Sequence, residues 1–248
     1  MNQSFYIASV GAQQQQQSLT VTSNNIANVN MHGYKAQRGR FSALIYQNMK
    51  AVEQDTVRAG VGGALWTTDT KFESGAAITT GLSQDYMIQG DGFFALVDLA
   101  TREISLTRSG AFHMASLQRD SGLLDEEGNA IPETVYYLAD SEGRFVLGKD
   151  GGMLEMTDPN EEMPVGVFDY PNYNGMRHQY DGRFLNIDKN GGLTLGTGKV
   201  ICGALEASNV ELSEEITKVI ETQRAYTMAL KMMTTSDEIE STINGLRG

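Results

Sequence analysis

The sequence predicts an α+β fold in which N- and C-terminal helices pair as a coiled coil around an inserted, mainly antiparallel β domain. Two observations lead to this prediction. Both ends of the chain repeat their seam residues at alternating spacings of three and four, as in a helix packed on another helix. Between about residues 35 and 205 the pattern changes to short apolar runs separated by Gly, Asp and Asn, which is typical of hairpins.

The N-terminal segment, residues 4–29, predicts a helix with a narrow packing seam. Its other faces carry Gln, Ser, Thr and Asn and no charge, which indicates neighbours on several sides. A disordered Gln/Asn-rich tract in the isolated monomer is the alternative, because lone helices are marginally stable. The seam residues are Phe5, Ala8, Ala12, Gln15, Leu19, Thr22 and Ile26.

The central region predicts short β-strands joined by tight turns. The tripeptide Gly-Arg-Phe occurs at 39–41, 143–145 and 182–184, and we interpret each copy as a turn exit that places its aromatic ring on a buried face. The candidate strands are Tyr86–Ile88, Phe93–Val97, Ile104–Thr107, Val135–Leu138, Phe145–Leu147, Val165–Phe168, Phe184–Ile187 and Leu193–Leu195.

The C-terminal segment predicts a second helix that begins with a capping box formed by Ser208 and Glu211. Glu214 and Lys218 have the spacing of a favourable ion pair on one helix face. Two narrow seams at opposite ends of one chain favour packing against each other or against other copies. The seam residues are Leu212, Ile216, Val219, Gln223, Tyr226, Leu230 and Met233.

The net charge of -12 is unevenly distributed. Residues 1–52 hold four basic and no acidic side chains, a net +4, so the remainder holds 15 basic and 31 acidic side chains, a net -16. This balance excludes a general nucleic-acid binder, whose affinity rests on Lys and Arg. The single cysteine excludes an internal disulfide, and no apolar run reaches the roughly 20 residues of a membrane span.

Motifs for catalysis, cofactors or metals fail on inspection. Gly90–Ala95 fits a relaxed dinucleotide-binding pattern, but Asp91 would repel a pyrophosphate and the two phenylalanines begin a strand-like run. Gly198-Lys199 lacks the Ser or Thr that a P-loop needs next, because Val200 stands there. The three histidines lack metal-ligand spacing. We therefore expect no enzyme activity, no cofactor and no metal.

Four separated motifs together resemble the bacterial flagellar rod and hook basal-body protein family. The length is similar to that of the rod members, and Phe41–Tyr46 resembles the distal-rod branch. The four motifs are residues 23–35 (Ser-Asn-Asn-Ile-Ala-Asn, ending in Gly-Tyr-Lys), 85–94, 107–112 (Thr-Arg-Ser-Gly-Ala-Phe) and 203–226 (Gly-Ala-Leu-Glu to Gln-Arg-Ala-Tyr).

The resemblance implies a structural subunit that polymerises into the axial drive shaft, which transmits torque from rotor to hook. It also implies export through the flagellar type III apparatus and a position in the periplasm-spanning rod of the basal body. The partners would be copies of itself and other rod and hook subunits, with no nucleic acid and no direct membrane insertion. The implied segments are an N-terminal axial helix (1–34), an extended or hairpin connector (35–84), a β domain (85–204) and a C-terminal axial helix (205–248).

The candidate site is therefore an assembly interface rather than a catalytic centre. Asn24, Asn25 and Asn28 have two equal readings, as inter-helix amide hydrogen bonds or as simple helix termination. A secreted β-rich adhesin or binding module and a hydrolase with paired carboxylates remain alternative functions. The expected interface residues are Leu19, Asn24, Asn25, Ile26, Asn28, Ile216, Val219, Gln223, Tyr226 and Leu230.

Overall fold

A computed structural model of the chain describes residues 3–43, 47–52, 55–60, 62–124, 130–158, 162–179 and 181–246. It divides the chain into two compact units that interleave along the sequence. We call Met1–Val29, Ala36–Lys71 and Val210–Gly248 the helical unit, and Asn30–Lys35 and Phe72–Asn209 the β unit. The α+β class with an inserted, mainly antiparallel β domain is confirmed. Whether the helices supercoil stays a prediction, as does the division into four segments.

Two long helices, α1 (Gln3–Ala27) and α2 (Leu212–Leu246), pack together in the helical unit. Ser4 Oγ lies 3.2 Å from Ser236 Oγ, and Asn25 Nδ2 lies 3.3 Å from Glu215 Oε2. Both helices span 21 residues between these contacts (25 − 4 and 236 − 215), so the pairing is antiparallel and in register over about 30 Å.

The contact between the helices uses small and polar side chains. α1 buries Ala8, Ala12, Thr22 and Asn25, and three of these belong to the predicted seam. On α2 the buried side chains are Glu215, Thr222 and Ser236. Of the predicted α2 seam, Val219 and Met233 are partly buried and the other five residues are exposed, so packing of that seam against other copies stays a prediction. Small side chains permit close approach of the backbones, whereas large ones would hold them apart.

The start of α2 also differs from the prediction. The helix begins at Leu212, and the carbonyl oxygen of Glu211 accepts its first helical hydrogen bond, from Glu215 N–H at 3.0 Å. The predicted capping residue, Ser208, lies outside the helix because residues up to 209 belong to the β unit. Lys218 pairs with Glu215 at 2.6 Å instead of with Glu214.

Two antiparallel strand pairs complete the helical unit. β1 (Gln37–Ala43) pairs with β4 (Gly63–Thr70), and β2 (Gln47–Val52) pairs with β3 (Asp55–Ala59). The β1–β4 register shifts by one residue between Arg40 and Phe41. Of the segment that resembles the distal-rod branch, residues 44–46 lie outside the described residues.

The β unit contains an eight-stranded sheet and three separate strand pairs, and all of its pairings are antiparallel. The sheet has the order β12-β10-β11-β7-β8-β15-β14, with β9 also paired to β10. The separate pairs are β5–β18, β6–β17 and β13–β16. The strands are β5 (Ala77–Thr79), β6 (Tyr86–Gln89), β7 (Phe94–Val97), β8 (Ile104–Thr107), β9 (His113–Leu124), β10 (Ala130–Ala139), β11 (Phe145–Val146), β12 (Glu155–Met156), β13 (Phe168–Asp169), β14 (Arg177–His178), β15 (Phe184–Leu185), β16 (Thr194–Leu195), β17 (Lys199–Cys202) and β18 (Ala204–Glu206).

The predicted strand Ile104–Thr107 matches β8 residue for residue, whereas Val165–Phe168 is mostly irregular and only its last residue enters β13. The strand β7 is buried on both faces. Phe94 and Leu96 join one apolar cluster with Tyr86 and Phe112, and Phe93 and Ala95 join another with Phe184. Alternation along the strand places successive side chains on opposite faces.

Two of the three Gly-Arg-Phe copies behave as predicted. Phe145 and Phe184 are buried after turns in which the glycine has a positive φ. Their arginines, Arg144 and Arg183, both bind Asp181. Burial favours the neutral carboxyl, but hydrogen bonds and charge from Arg183, with charge from Arg144, lower the pKa of Asp181 overall.

The prediction is wrong for the third copy, because Phe41 is 47% exposed. It lies on the two-stranded pair β1–β4 rather than in the large sheet that buries the other two phenylalanines.

His178 packs between the rings of Tyr34 and Phe184, at centroid distances of 5.7 and 5.0 Å. Burial lowers the pKa of His178 below its ordinary value of 6.5. The unfolded chain therefore binds this proton more readily, and we expect the free energy of unfolding of the β unit to fall as the pH drops below 6.5. Urea unfolding between pH 7 and pH 5 measures the change.

The matched variant is His178→Phe, which keeps a ring between the same neighbours. The decrease in stability over this pH range should be smaller in the variant, since all carboxyl groups are unchanged. Equal pH profiles for the two proteins would show that His178 is not responsible.

Candidate assembly site

All four motifs meet at one buried ionic cluster in the β unit. Glu206 is 0% exposed and binds two cations, Lys35 Nζ at 2.6 Å from Oε1 and Arg108 Nη1 at 3.1 Å from Oε2. Lys35 ends the first motif, Arg108 belongs to the third, and Glu206 belongs to the fourth. The second motif supplies a carbonyl: Gly90 O accepts a 2.7 Å hydrogen bond from Arg108 Nη2.

Backbone groups add further hydrogen bonds to this cluster. Lys35 Nζ donates to Glu73 O at 2.7 Å, and Gly75 N–H donates to Glu206 Oε1 at 2.8 Å. Gly33 N–H donates to the main-chain oxygen of Glu206 at 2.8 Å. The guanidinium of Arg108 also lies over the ring of Phe93, 5.3 Å from the centroid. The cluster joins segments that are far apart in the chain, since Lys35 and Glu206 are 171 residues apart.

The electrostatics explain why the cluster needs all of its members. Burial lowers the pKa of Lys35, and the charge and hydrogen bond of Glu206 oppose this shift. Two buried cations share one carboxylate, and carbonyl oxygens accept further N–H groups of both, whereas the buried Arg108 Nε has no hydrogen-bond partner among the described residues. Because Glu206 is fully enclosed, the carboxylate is unsuited to meeting a substrate. The cluster holds the chain together and has no catalytic geometry.

Two motif glycines are required by close approach around the cluster. Gly33 has a φ of +68°, and a Cβ there would lie 2.3 Å from the carbonyl carbon of Arg108. A Cβ on Gly110 would lie 1.6 Å from the carbonyl oxygen of Tyr86. Both distances are too short for any side chain, so these glycines let the motif segments pack directly on one another.

A second polar junction, in the helical unit, involves Asn25. This predicted interface residue is buried at the end of α1, where its Nδ2 donates to Gln37 O at 2.8 Å and to Glu215 Oε2 at 3.3 Å. Its Oδ1 accepts from Gln37 N–H at 2.9 Å. Asn25 thus joins α1, β1 and α2, which favours the first of its two readings.

The side-chain contacts of Asn28 favour the second reading. Asn28 Nδ2 donates to Asn24 O at 2.8 Å and to Asn24 Oδ1 at 3.2 Å, and both contacts are local to the end of α1. Asn25 and Asn28 therefore make different kinds of contact, and their roles in assembly stay a prediction.

The remaining predicted interface residues are less buried. On α1, Leu19 and Ile26 are partly buried, and on α2 only Val219 is. The other predicted α2 residues, Ile216, Gln223, Tyr226 and Leu230, are exposed in the single chain. The structure brings Asn25 together with α2 through Glu215, a residue that the sequence analysis placed off the seam. The role of all ten residues in assembly stays a prediction.

The ionic cluster was missed from the sequence, although its residues lie in the quoted motifs. The available signal was that each of three quoted motifs carries a charged residue two or three positions from a glycine. Within the described residues, no three His, Cys, Asp or Glu side chains are placed to share a metal ion. Neither helix in this part of the chain has an apolar stretch long enough to cross a membrane.

We expect Glu206→Gln to lower the free energy of unfolding by about 3–5 kcal/mol, because it leaves two buried cations without an anion. The substitution preserves shape, so packing loss is minimal. Chemical denaturation of the full chain measures the effect. Glu133→Gln, which removes the exposed partner of Arg119, is the control and should change stability by about 0.5 kcal/mol or less. A loss below 1 kcal/mol for the Glu206 variant would contradict a stabilising cluster.

Asn25→Asp should destabilise the helical unit by about 2–3 kcal/mol, because it removes two donated hydrogen bonds and places a carboxylate beside Glu215. Asn28→Asp is the matched control at the same end of α1, where only local contacts change. Hydrogen exchange of the α1 and α2 amides measures the local stability of both variants. Similar exchange in the two variants would mean that Asn25 only terminates the helix.

Comparison with known proteins now adds independent information. A family model described as flagella basal body rod protein matches residues 5–35. A second model, described as flagellar basal body rod FlgEFG protein C-terminal, matches residues 202–246. These matches cover α1 with the Lys35 segment, and β17–β18 with α2. They therefore include two of the three charged residues of the ionic cluster.

Relatives match over nearly the whole chain. The flagellar basal-body rod protein FlgG of Buchnera aphidicola subsp. Schizaphis graminum is 29% identical, over 95% of this chain and 96% of its own. FlgG of Caulobacter vibrioides is 29% identical over 99% of each chain. The flagellar hook-basal body complex protein FlhP of Bacillus subtilis is 26% identical over the full length of both.

These findings lend no support to the adhesin alternative, and they agree with the expectation that the protein is not an enzyme, because the matched family is structural. The two terminal matches coincide with the predicted motifs at both ends of the chain, and the relatives extend the similarity through the β unit. The matches at both ends and the relatives along nearly the whole chain together support the flagellar basal-body rod protein family.

Proposed function

We propose that this chain is a structural subunit of the flagellar basal-body rod, where it polymerises into the axial shaft that transmits torque from rotor to hook. Similarity to this family supports the place in the rod and assembly with other rod and hook subunits. One observation carries the polymerisation: α2 buries small polar side chains against α1 and leaves its large apolar side chains exposed.

The exposed apolar residues of α2 have the character of an interface. Ten large apolar side chains exposed along one helix are typical of a site of protein association, because their contact with water is unfavourable. In a polymer, neighbouring copies would cover these side chains. They are Leu212, Ile216, Ile220, Tyr226, Met228, Leu230, Met232, Ile239, Ile243 and Leu246.

The composition of α1 supports the same proposal. Its sequence contains no charged residue over 25 positions, and its exposed positions include Gln13, Gln16, Gln17 and Thr20. Amide and hydroxyl groups hydrogen-bond to similar groups on neighbouring chains without the desolvation cost of a charge. A helix in permanent contact with water would normally carry Lys and Glu at such positions.

Finer assignments rest on the family resemblance and extend this proposal. The type III export apparatus would carry the chain to the growing rod. Assignment to the distal-rod branch is supported by the seven relatives named FlgG. FlhP, which does not have the FlgG name, also matches over its full length. Assignment to the distal-rod branch is therefore a finer statement than assignment to the rod.

Deletion of the gene tests the proposal directly. We expect the deletion strain to lose swimming and to lack complete rods in electron micrographs of isolated basal bodies. Expression of the wild-type chain should restore both. Intact rods and normal swimming in the deletion strain would refute a role as rod subunit.

Leu230→Ala separates assembly from folding. Leu230 is 39% exposed in the single chain, so we expect the variant to lose only about 1 kcal/mol of unfolding free energy. If neighbouring copies bury the side chain, assembly loses about 2–5 kcal/mol. Unfolding of the isolated chain and counting of rods in the complemented strain measure the two effects.

Leu99→Ala is the matched control, since this leucine is similarly exposed but lies in the β unit, between β7 and β8. It should leave rods and swimming unchanged. Normal assembly with Leu230→Ala would show that this face of α2 is not the interface.

A further inference from the structure

The single tryptophan of the chain, Trp66, is 80% exposed on strand β4 of the helical unit. Phe41, on the paired strand β1, is also exposed. A large ring in water contributes little to the stability of its own chain, whereas aromatic side chains supply much of the energy of interfaces. The position therefore suits contact with another molecule.

The backbone of β4 is irregular at Trp66, where the strand register shifts. Arg40 pairs with Thr67 and the next residue, Phe41, pairs with Leu65, so Trp66 has no partner opposite and forms a β-bulge. A bulge changes the direction of the side chain and twists the strand locally. Trp66 therefore lies beside the Phe41–Leu65 pair in the strand register and has no cross-strand partner of its own.

A shallow, open groove of complementary chemistry lies along one face of α2, in the same helical unit, with a volume of about 380 Å³. Met228, which is 65% exposed, and Ile220 are apolar side chains of its lining, and the thioether of a methionine makes favourable contacts with aromatic rings. Arg224 and Lys231 provide cations that can lie over a ring face. The amide of Gln223 offers an oxygen to an indole N–H.

These two features do not satisfy each other within one chain, because both Trp66 and Met228 remain exposed there. An apolar side chain that fits a pocket elsewhere on an identical molecule produces a head-to-tail contact, and repetition of that contact builds an open-ended polymer. We propose that Trp66 of one copy inserts into the α2 groove between Ile220 and Lys231 of another copy. This inference rests on the proposed rod function and names a contact within the polymer.

Cross-linking in assembled rods tests the contact. Cys202→Ser provides a background without native thiols, and serine can keep the hydrogen bond that Cys202 makes to Ser83 O. A strain lacking its own copy would express two tagged chains, one with Trp66→Cys and one with Met228→Cys. We expect oxidation of isolated basal bodies to form a disulfide that joins the two differently tagged chains. Leu99→Cys with Met228→Cys is the control, because Leu99 is also exposed but lies in the β unit rather than on strand β4.

Self-association of the purified full chain gives a second measurement. Trp66 is the only tryptophan, so its fluorescence reports the environment of this residue alone. Emission should shift to shorter wavelength as the concentration rises. Trp66→Ala has no tryptophan, so its association is measured by sedimentation, and it should weaken association about 30-fold, the effect of losing a buried tryptophan at an interface. Thr67→Ala should not weaken it, and Met228→Glu should abolish the wavelength shift.

The outcomes separate the two proposals. Restored rods with no joined tags, together with unshifted emission on association, would overturn the Trp66 contact and leave the rod function intact. Failure of the wild-type chain to enter basal bodies would overturn the rod function and the contact with it. An emission shift that needs lipid vesicles and not protein concentration would assign Trp66 to a membrane surface and overturn the contact between copies.

Discussion

The carboxylate of Glu206 is the constraint on which the β unit depends. It binds Lys35 and Arg108 in a region closed to water, and each partner comes from a different part of the sequence. Burial of a charge is unfavourable unless it is paired and hydrogen-bonded, so the three segments must arrive together. The glycines at 33 and 110 permit this arrangement by letting backbones approach to distances that no side chain allows. The cluster specifies one way of packing these segments.

In the helical unit, Asn25 has a comparable role on a smaller scale. It links the end of α1 to β1 and to α2 through Glu215. The rest of the α1–α2 contact is formed by small side chains, among them Ala8, Ala12 and Thr222. Such a contact buries little apolar surface and provides little of the hydrophobic energy that stabilises a fold. The large apolar side chains of α2 stay available for neighbours, as polymerisation requires.

Much of this could be predicted from residue patterns. Helical spacing predicted α1 to within a few residues, and strand β8 was predicted residue for residue. The start of α2 was misplaced because Ser208 has the chemistry of a helix cap but belongs to the β unit. Spacing also cannot distinguish the face of a helix that packs within one chain from the face that packs between chains. Ile216 and Glu215 are neighbours in sequence, and only the packing shows which is buried.

The sequence by itself determined the class of fold, the uneven charge, the lack of a catalytic motif and the resemblance to rod proteins, because each of these depends on local pattern or composition. The tertiary structure alone decided that Lys35, Arg108 and Glu206 form one cluster and that Trp66 projects from a bulge. Both are long-range features, set by which distant segments meet and in what register, and a linear pattern contains no direct record of such contacts.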